Sequence, residues 1–179
     1  MVYRNFNDLI TEVSYGRIRK TAVVAGAHDE HALEAVLKAH EDGIIDYILV
    51  GKKASILEMG NALFHDIKET DIVEAAEDQE AAFKAVELIR EGKGDFLMKG
   101  KMETGTLLKE VVNKKTGIGK GGIMSHMCIL EIPSYHKLMG FTDGGMIIDP
   151  TLEEKIGIIE NALELFRNLG IENLKIAAV

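Results

Sequence analysis

The chain has 179 residues, 46% of them apolar, with 21 basic against 29 acidic side chains and a formal net charge of -8. That length allows one ordinary domain, or one domain and part of another, and the apolar share is enough for a packed core. The acidic balance argues against a general nucleic-acid or anionic-membrane surface but leaves room for a local basic site. Residues 5–15 read as a helix, with Phe6, Leu9, Ile10 and Val13 on one face. "TAVVAGA" (21–27) is a short apolar strand ending on glycine, and "DEHALEAVLKAHEDG" (29–43) is a helix capped by Asp29 and stopped by Gly43. A strand at 46–51 and a short helix at 53–59 follow, and "DIVEAA" (71–76) fits either type. Residues 78–94 form a helix with Ala82, Phe83, Val86, Leu88 and Ile89 periodic, 95–100 a strand and 104–113 a helix. Strands alternating with helices of this length predict βαβ units, hence a parallel sheet with helices on both faces.

The pattern changes after Lys114. "TGIGKGG" (116–122) carries four glycines in seven residues and suits a mobile connection or a domain boundary. "IMSHMCILEIP" (123–133) and "KLMGFTD" (137–143) are strand-like and separated by "SYH", which predicts an antiparallel hairpin. Residues 149–170 form a long helix, with Thr151 as N-cap, Glu154 at the capping-box position and Gly170 at the stop. "NLKIAAV" (173–179) reads as a strand. A strand with no helix after it is an odd end for an α/β domain, so the expected organisation is a first α/β domain over 1–118 and the beginning of a second, incomplete one over 119–179. An unpaired strand at 174–179 would invite pairing with another copy, so a homodimer or higher homo-oligomer is expected.

No apolar run approaches the ~20 residues of a membrane span, and "MVYRNFNDLI" lacks the continuous apolar segment of a signal peptide. A lone cysteine, Cys128, inside an apolar stretch suits a reducing cytoplasm. His28, His31, His40 and His65 form no metal-ligand grouping with a carboxylate, so no metal is expected.

The chemistry concentrates at "DFLMKGKMETGTLLKEVVN" (95–113). An apolar strand stops at Lys99-Gly100 and a helix begins near Thr104. In open parallel sheets ligands bind beyond the carboxyl ends of strands, and a helix start offers unpaired N–H groups and a positive dipole end. Lys99 adds charge, Thr104 and Thr106 add hydroxyls, and Gly100 and Gly105 allow close backbone approach. The set suits phosphate. The bland alternative is that Thr104 is an N-cap and Lys99 a solvated lysine. Neither GxxxxGK[ST] nor GxGxxG is present. Ser125-His126 could serve as nucleophile and base, but neighbours on a strand point to opposite faces, which leaves a ligand contact or a plain strand start. Asp143, before Gly144-Gly145, is an active-site carboxylate or a turn aspartate. His28 follows "AGA" at another strand end and lines a cleft or is solvated. The methionines of the central third (Met98, Met102, Met124, Met127, Met139, Met146) are core, with one or two free to line an acyl pocket.

"LMKGKMETGTLLKEVVNKKTGI" followed by "MSHMCILEIPSYHKLMGFTDGGM" resembles the phosphate acetyl/butyryltransferase family, most of all its butyryltransferase branch. The resemblance runs in one order from about Val23 to Val179. It is carried by KGxxxT (Lys99, Gly100, Thr104), Ser125-His126, Thr142-Asp143 and the "DPTLEEKIGIIENA" helix. It implies an acyltransferase moving a butyryl or acetyl group between coenzyme A and phosphate, these being substrates, with no bound cofactor. It also implies an isocitrate/isopropylmalate dehydrogenase-like fold of two α/β domains with the active site in the cleft between them, of which this chain would be roughly the N-terminal three-fifths. In related enzymes the segment matching Thr104–Thr106 contributes to the acyl-phosphate site, and the catalytic residues lie in a C-terminal segment that nothing here matches, so this chain alone is expected to be inactive. A non-catalytic binding or scaffold domain on the same fold is the alternative. A dehydrogenase is less favoured, for want of a nicotinamide signature. Departures from the family pattern are Ile147 for asparagine, Glu103 for proline, and Gly119 and Gly122 where arginine is common; an acidic Glu103 is unfavourable beside phosphate unless it points away.

Overall fold

The computed structural model describes residues 2–14 and 18–178. These residues fall into two compact units, one made of 18–120 and the other of 2–14 together with 121–178. The division after Lys120 lies inside "TGIGKGG", where Gly121 and Gly122 each have φ +82.

In the first unit, β1 (Lys20–Ala25), β2 (Ile45–Gly51), β3 (Ile72–Glu74) and β4 (Phe96–Lys99) form one sheet in the order β3-β2-β1-β4. Every neighbouring pair is parallel; Val24 is in register with Leu49, and Ala25 with Lys99. Successive side chains of β1 leave on opposite faces, and the core follows that period. Val23 and Ala25 pack with Val50, Ala82, Ala85 and Val86 on one face, and Val24 packs with Leu33, Val36, Leu49 and Ile56 on the other. Helices α2 (Glu30–Glu41) and α3 (Lys53–Ala62) cover the second of these faces, and α4 (Asp78–Arg90) and α5 (Thr104–Val111) the first. Asp29 caps α2, its carboxylate accepting the Ala32 N–H at 2.9 Å. The segment 71–76, which fitted either type, supplies the short edge strand β3. Helix α4 buries Ala81, Ala82, Ala85 and Val86, whereas Phe83, expected in its stripe, is 40% exposed. The face set by Ala82, Ala85 and Val86 lies about 100° of helix turn from Phe83. Its small side chains let α4 lie close on the sheet. Buried Glu110 of α5 accepts from the side chain of Gln79 in α4, which ties the two helices.

The second unit contains α1 (Phe6–Ser14), the antiparallel pair β5 (Cys128–Leu130) and β6 (Met139–Phe141), and α6 (Leu152–Asn168). The N-terminal helix was expected in the first domain. Tyr3 places it here instead: its ring is buried, its hydroxyl donates to the Leu169 carbonyl, and its own carbonyl accepts from Leu138 N–H, both at 2.9 Å. The Phe6 N–H also donates to the Glu131 carboxylate at 2.8 Å. Thr151 and Glu154 make both bonds of the capping box on α6. Thr151→Ala should therefore lower stability by about 1 kcal/mol, read as a lower denaturant midpoint; an unmoved midpoint would mean that α6 does not need its cap.

Of the strand expected over 173–179, residues 173–178 are in no strand or helix, and Val179 lies outside the described residues. A strand exists only against a neighbour, and the second sheet of the described residues has two strands, β5 and β6. The edge on which self-association was expected is therefore not present as a strand.

Candidate active site

The order of the first sheet reverses at β1: β2 and β3 lie to one side and β4 to the other. In open parallel sheets the crevice outside the carboxyl ends at such a reversal is where ligands bind. Here it is walled by the ends of β1 and β4, which come unusually close. The Gly100 N–H donates to Ala25 and the Lys101 N–H to the Gly26 carbonyl, both at 2.9 Å. Gly26 needs a left-handed φ of +73 to make that turn. At Gly100 the need is space, since a Cβ there would stand 2.2 Å from the Gly26 carbonyl oxygen.

Beyond Gly100 the chain turns into α5. Its N-cap is Glu103, not Thr104, and Glu103 makes no side-chain capping bond. Thr104 is the first helical residue, and the Glu103 carbonyl accepts the Thr106 N–H at 3.0 Å. The plain-cap alternative for Thr104 is thus removed, and its exposed side chain and the first-turn N–H groups stand together at the helix start. Glu103 is also exposed. A Cβ on Gly105 would meet nothing within 4 Å, so the glycine leaves the first turn open rather than tightly packed. The Lys99 ammonium donates to the carbonyls of Gly100 and Met102, both at 3.1 Å. Two of its three N–H groups are thereby spent on the loop that leads into α5, which fixes the charge over that loop with one donor to spare. Lys99, Gly100, Thr104, Gly105 and Thr106 are thus brought together at one strand-to-helix turn.

His28 stands at the same carboxyl edge, three residues past the end of β1. Its Nδ1 is buried with no hydrogen-bond partner, packed against Gly51 at the end of β2. Among the described residues no group of three or more His, Cys, Asp or Glu could hold a metal ion.

Ser125, His126 and Asp143 belong to the second unit. Ser125 Oγ accepts from the Asn161 side chain at 2.9 Å, and the Thr142 hydroxyl donates to the His126 carbonyl at 2.7 Å. Asp143 accepts the backbone N–H of His126 at 3.2 Å and those of Gly145 and Met146 at 2.8 Å. Burial opposes its charge, but the N–H groups of Met146, Gly145 and His126 outweigh that and hold its carboxyl below the usual aspartate range. The ring of His126 faces Cys128 instead, with Nε2 at 3.7 Å from Sγ. The three residues therefore form no nucleophile–base–acid relay; Asp143 organises the turn that follows β6. Sequence reasoning did not single out Asn161, which also donates to the Ile123 carbonyl at 3.0 Å and pins the approach to β5. No local pattern around Asn161, which is exposed, flags it. Gly26 was equally passed over, although a glycine directly after an apolar strand is a readable sign.

Residues 77–179, from the start of α4 through the turn at Lys99 to the last residue, match the family described as "Phosphate acetyl/butaryl transferase". The chain is 39% identical over 176 residues to the phosphate butyryltransferase of Clostridium acetobutylicum, covering 98% of this chain and 58% of that one. It is 34% identical over 174 residues to the phosphate acetyltransferase of Thermotoga maritima, with 97% and 58% covered. Among solved structures, a branched-chain phosphotransacylase from Enterococcus faecalis V583 superposes with a TM-score of 0.69 at 27% identity, covering 86% of this chain and 53% of that one. A phosphotransacetylase from Streptococcus pyogenes has the same fold, with a TM-score of 0.76 at 16% identity and 96% and 60% covered. The chain belongs to the phosphate acetyl/butyryltransferase family. It spans about 58% of the length of the curated relatives named here. No helix among the described residues is long and apolar enough to cross a membrane.

Proposed function

We propose that this chain supplies the phosphate-side part of an enzyme that moves a short-chain acyl group, butyryl or acetyl, between coenzyme A and phosphate. The observation that carries the reading is the β4–α5 turn. It sets an ammonium, two threonines and an open helix start at the sheet's reversal, in a chain whose family acts on phosphate. In the forward direction a thiolate attacks the carbonyl carbon of an acyl phosphate. A tetrahedral oxyanion forms, the C–O bond to phosphate breaks, and phosphate leaves with the electron pair. The reverse direction is phosphorolysis of the thioester. Either way the protein must align two anionic substrates and neutralise charge on phosphate. Lys99 and the first turn of α5 suit that task. A cytoplasmic setting is part of the proposal, supported by Cys128 standing unpaired.

The test is phosphate binding by calorimetry. Losing one hydrogen bond to a charged group costs about 1.5–3 kcal/mol. Thr104→Val keeps shape but removes the hydroxyl, so it should weaken binding roughly ten- to a hundredfold. Lys99→Met should weaken it as well, and more in low salt than in high, because screening already reduces the charge term. If both variants bind phosphate and acyl phosphate as the parent does, the site lies elsewhere.

A further inference from the structure

The turn that leaves β4 carries a second lysine. Lys101 lies two residues past Lys99 and three before Thr104, and it is exposed. Its backbone is fixed on both sides: its N–H donates to the Gly26 carbonyl at 2.9 Å, and the next residue, Met102, is buried in the core of the first unit. The two lysines differ in what holds their nitrogens. The Lys99 ammonium donates to the carbonyls of Gly100 and Met102, both at 3.1 Å. Among the described residues the Lys101 ammonium has no hydrogen bond or ion pair. Three residues span at most about 11 Å, and the flexible stem of a lysine covers about 6 Å of that. The free amine therefore reaches a ligand seated at the start of α5. The stretch from Lys99 to Lys120 holds six lysines against two glutamates, in a chain of net charge -8. One of those glutamates, Glu110, is buried and bonded to Gln79. Such a basic stretch draws anions to this end of the unit.

We propose, resting on the phosphate-side function above, that Lys101 is a modification site, acylated by the acyl phosphate held at the β4–α5 turn. An acyl phosphate is a mixed anhydride, open to attack by an amine as it is by a thiolate. The ammonium first gives one proton to water. The Nζ lone pair then forms a bond to the carbonyl carbon, and the C–O bond to phosphate breaks. Phosphate leaves with that electron pair and takes up the second proton from nitrogen. The product is a neutral amide, so one positive charge is lost from the rim of the anion site. Holding the anhydride beside a free amine makes the step effectively intramolecular, which is what favours Lys101 over other exposed lysines. Lys99 is closer in sequence to the strand end, but its nitrogen is turned onto two loop carbonyls.

The test is to incubate the chain with acetyl phosphate below saturation and follow acetylation of each lysine by peptide mass spectrometry. Lys68, Lys114 and Lys155 are exposed comparators. Lys114 shares the basic stretch but lies past the far end of α5, about 12 Å along the helix, and so controls for charge attraction alone. Lys101 should be acetylated at least about tenfold faster than each comparator. Excess inorganic phosphate should bring it down to their rate. Thr104→Val should slow Lys101 roughly tenfold or more and leave the comparators unchanged. Lys101 acetylated no faster than the comparators, later than Lys99, or at a rate that phosphate does not lower overturns the proposal. Calorimetry on the same samples separates the two failures. Phosphate bound in a Thr104-dependent way with Lys101 unselective sinks the modification site alone, whereas phosphate indifferent to Thr104→Val and Lys99→Met sinks the anion site and the modification with it.

Discussion

Gly100→Ala is expected to cost about 2–3 kcal/mol of stability, the upper part of the range for forcing a methyl into packed space. The added Cβ would fall 2.2 Å from the Gly26 carbonyl oxygen and 2.9 Å from its carbon. Both are backbone atoms, and Gly26 is itself held by donating to Val50 at 2.9 Å, so neither can give way cheaply. Relief requires parting the ends of β1 and β4, which breaks the bonds from Gly100 and Lys101. For a unit of about 100 residues that corresponds to a fall in melting temperature of roughly 10–20 °C. The neighbouring glycine should behave in the opposite way. Gly105→Ala places its methyl in open space, and alanine favours helix over glycine by up to about 1 kcal/mol. It should leave the melting temperature level or slightly raised and yet weaken phosphate binding, because the methyl adds bulk within the first turn, where the anion is proposed to sit. Thermal unfolding by circular dichroism, with phosphate titration alongside, separates the two roles. A Gly100→Ala protein melting within about 2 °C of the parent would show that the β1–β4 end is looser than its geometry implies. A Gly105→Ala protein with parental phosphate affinity would move the anion off the helix start.

These two glycines also show what could be read from sequence and what could not. Both were expected to allow close approach at the anion site, yet only Gly100 sits against backbone. The difference depends on Gly26, 74 residues earlier, and no local pattern carries it. Elements whose signal is local were legible. Strand β1 alternates its buried faces residue by residue, Asp29 caps α2, and Thr151 and Glu154 close α6. The turn at Lys99 was legible because an apolar strand stopping at a lysine is conspicuous. Its cap was misread, since threonine is the better capping residue and the choice of Glu103 depends on how the loop leaves Gly100. The helix at Phe6–Ser14 was found, but its unit was not, because the contacts of Tyr3 with Leu138 and Leu169 span most of the chain. The strand at 173–179 had the right composition and lacked a neighbour, which composition cannot supply. Phe83 illustrates the reverse error: a large apolar side chain drew attention from the alanines that α4 buries.

The largest effect is expected in catalysis. Alone, this chain should turn over butyryl-CoA and phosphate far below the ordinary enzymic range of about 1–10³ per second. Lys99 and the start of α5 suit the phosphate side of the reaction. Acyl transfer further requires a base to raise the thiolate fraction and donors at the developing oxyanion. In the second unit the candidates for such work are committed elsewhere: Asp143 accepts three backbone N–H groups, and Ser125 is bound by Asn161. At the carboxyl edge the Nδ1 of His28 is unpartnered, but it is buried, out of reach of a thiol. Free thiol released from butyryl-CoA in the presence of phosphate measures the rate directly. Enzymic turnover by the 179-residue chain on its own would mean that it contains its own base, and the search would return to His28 and His126.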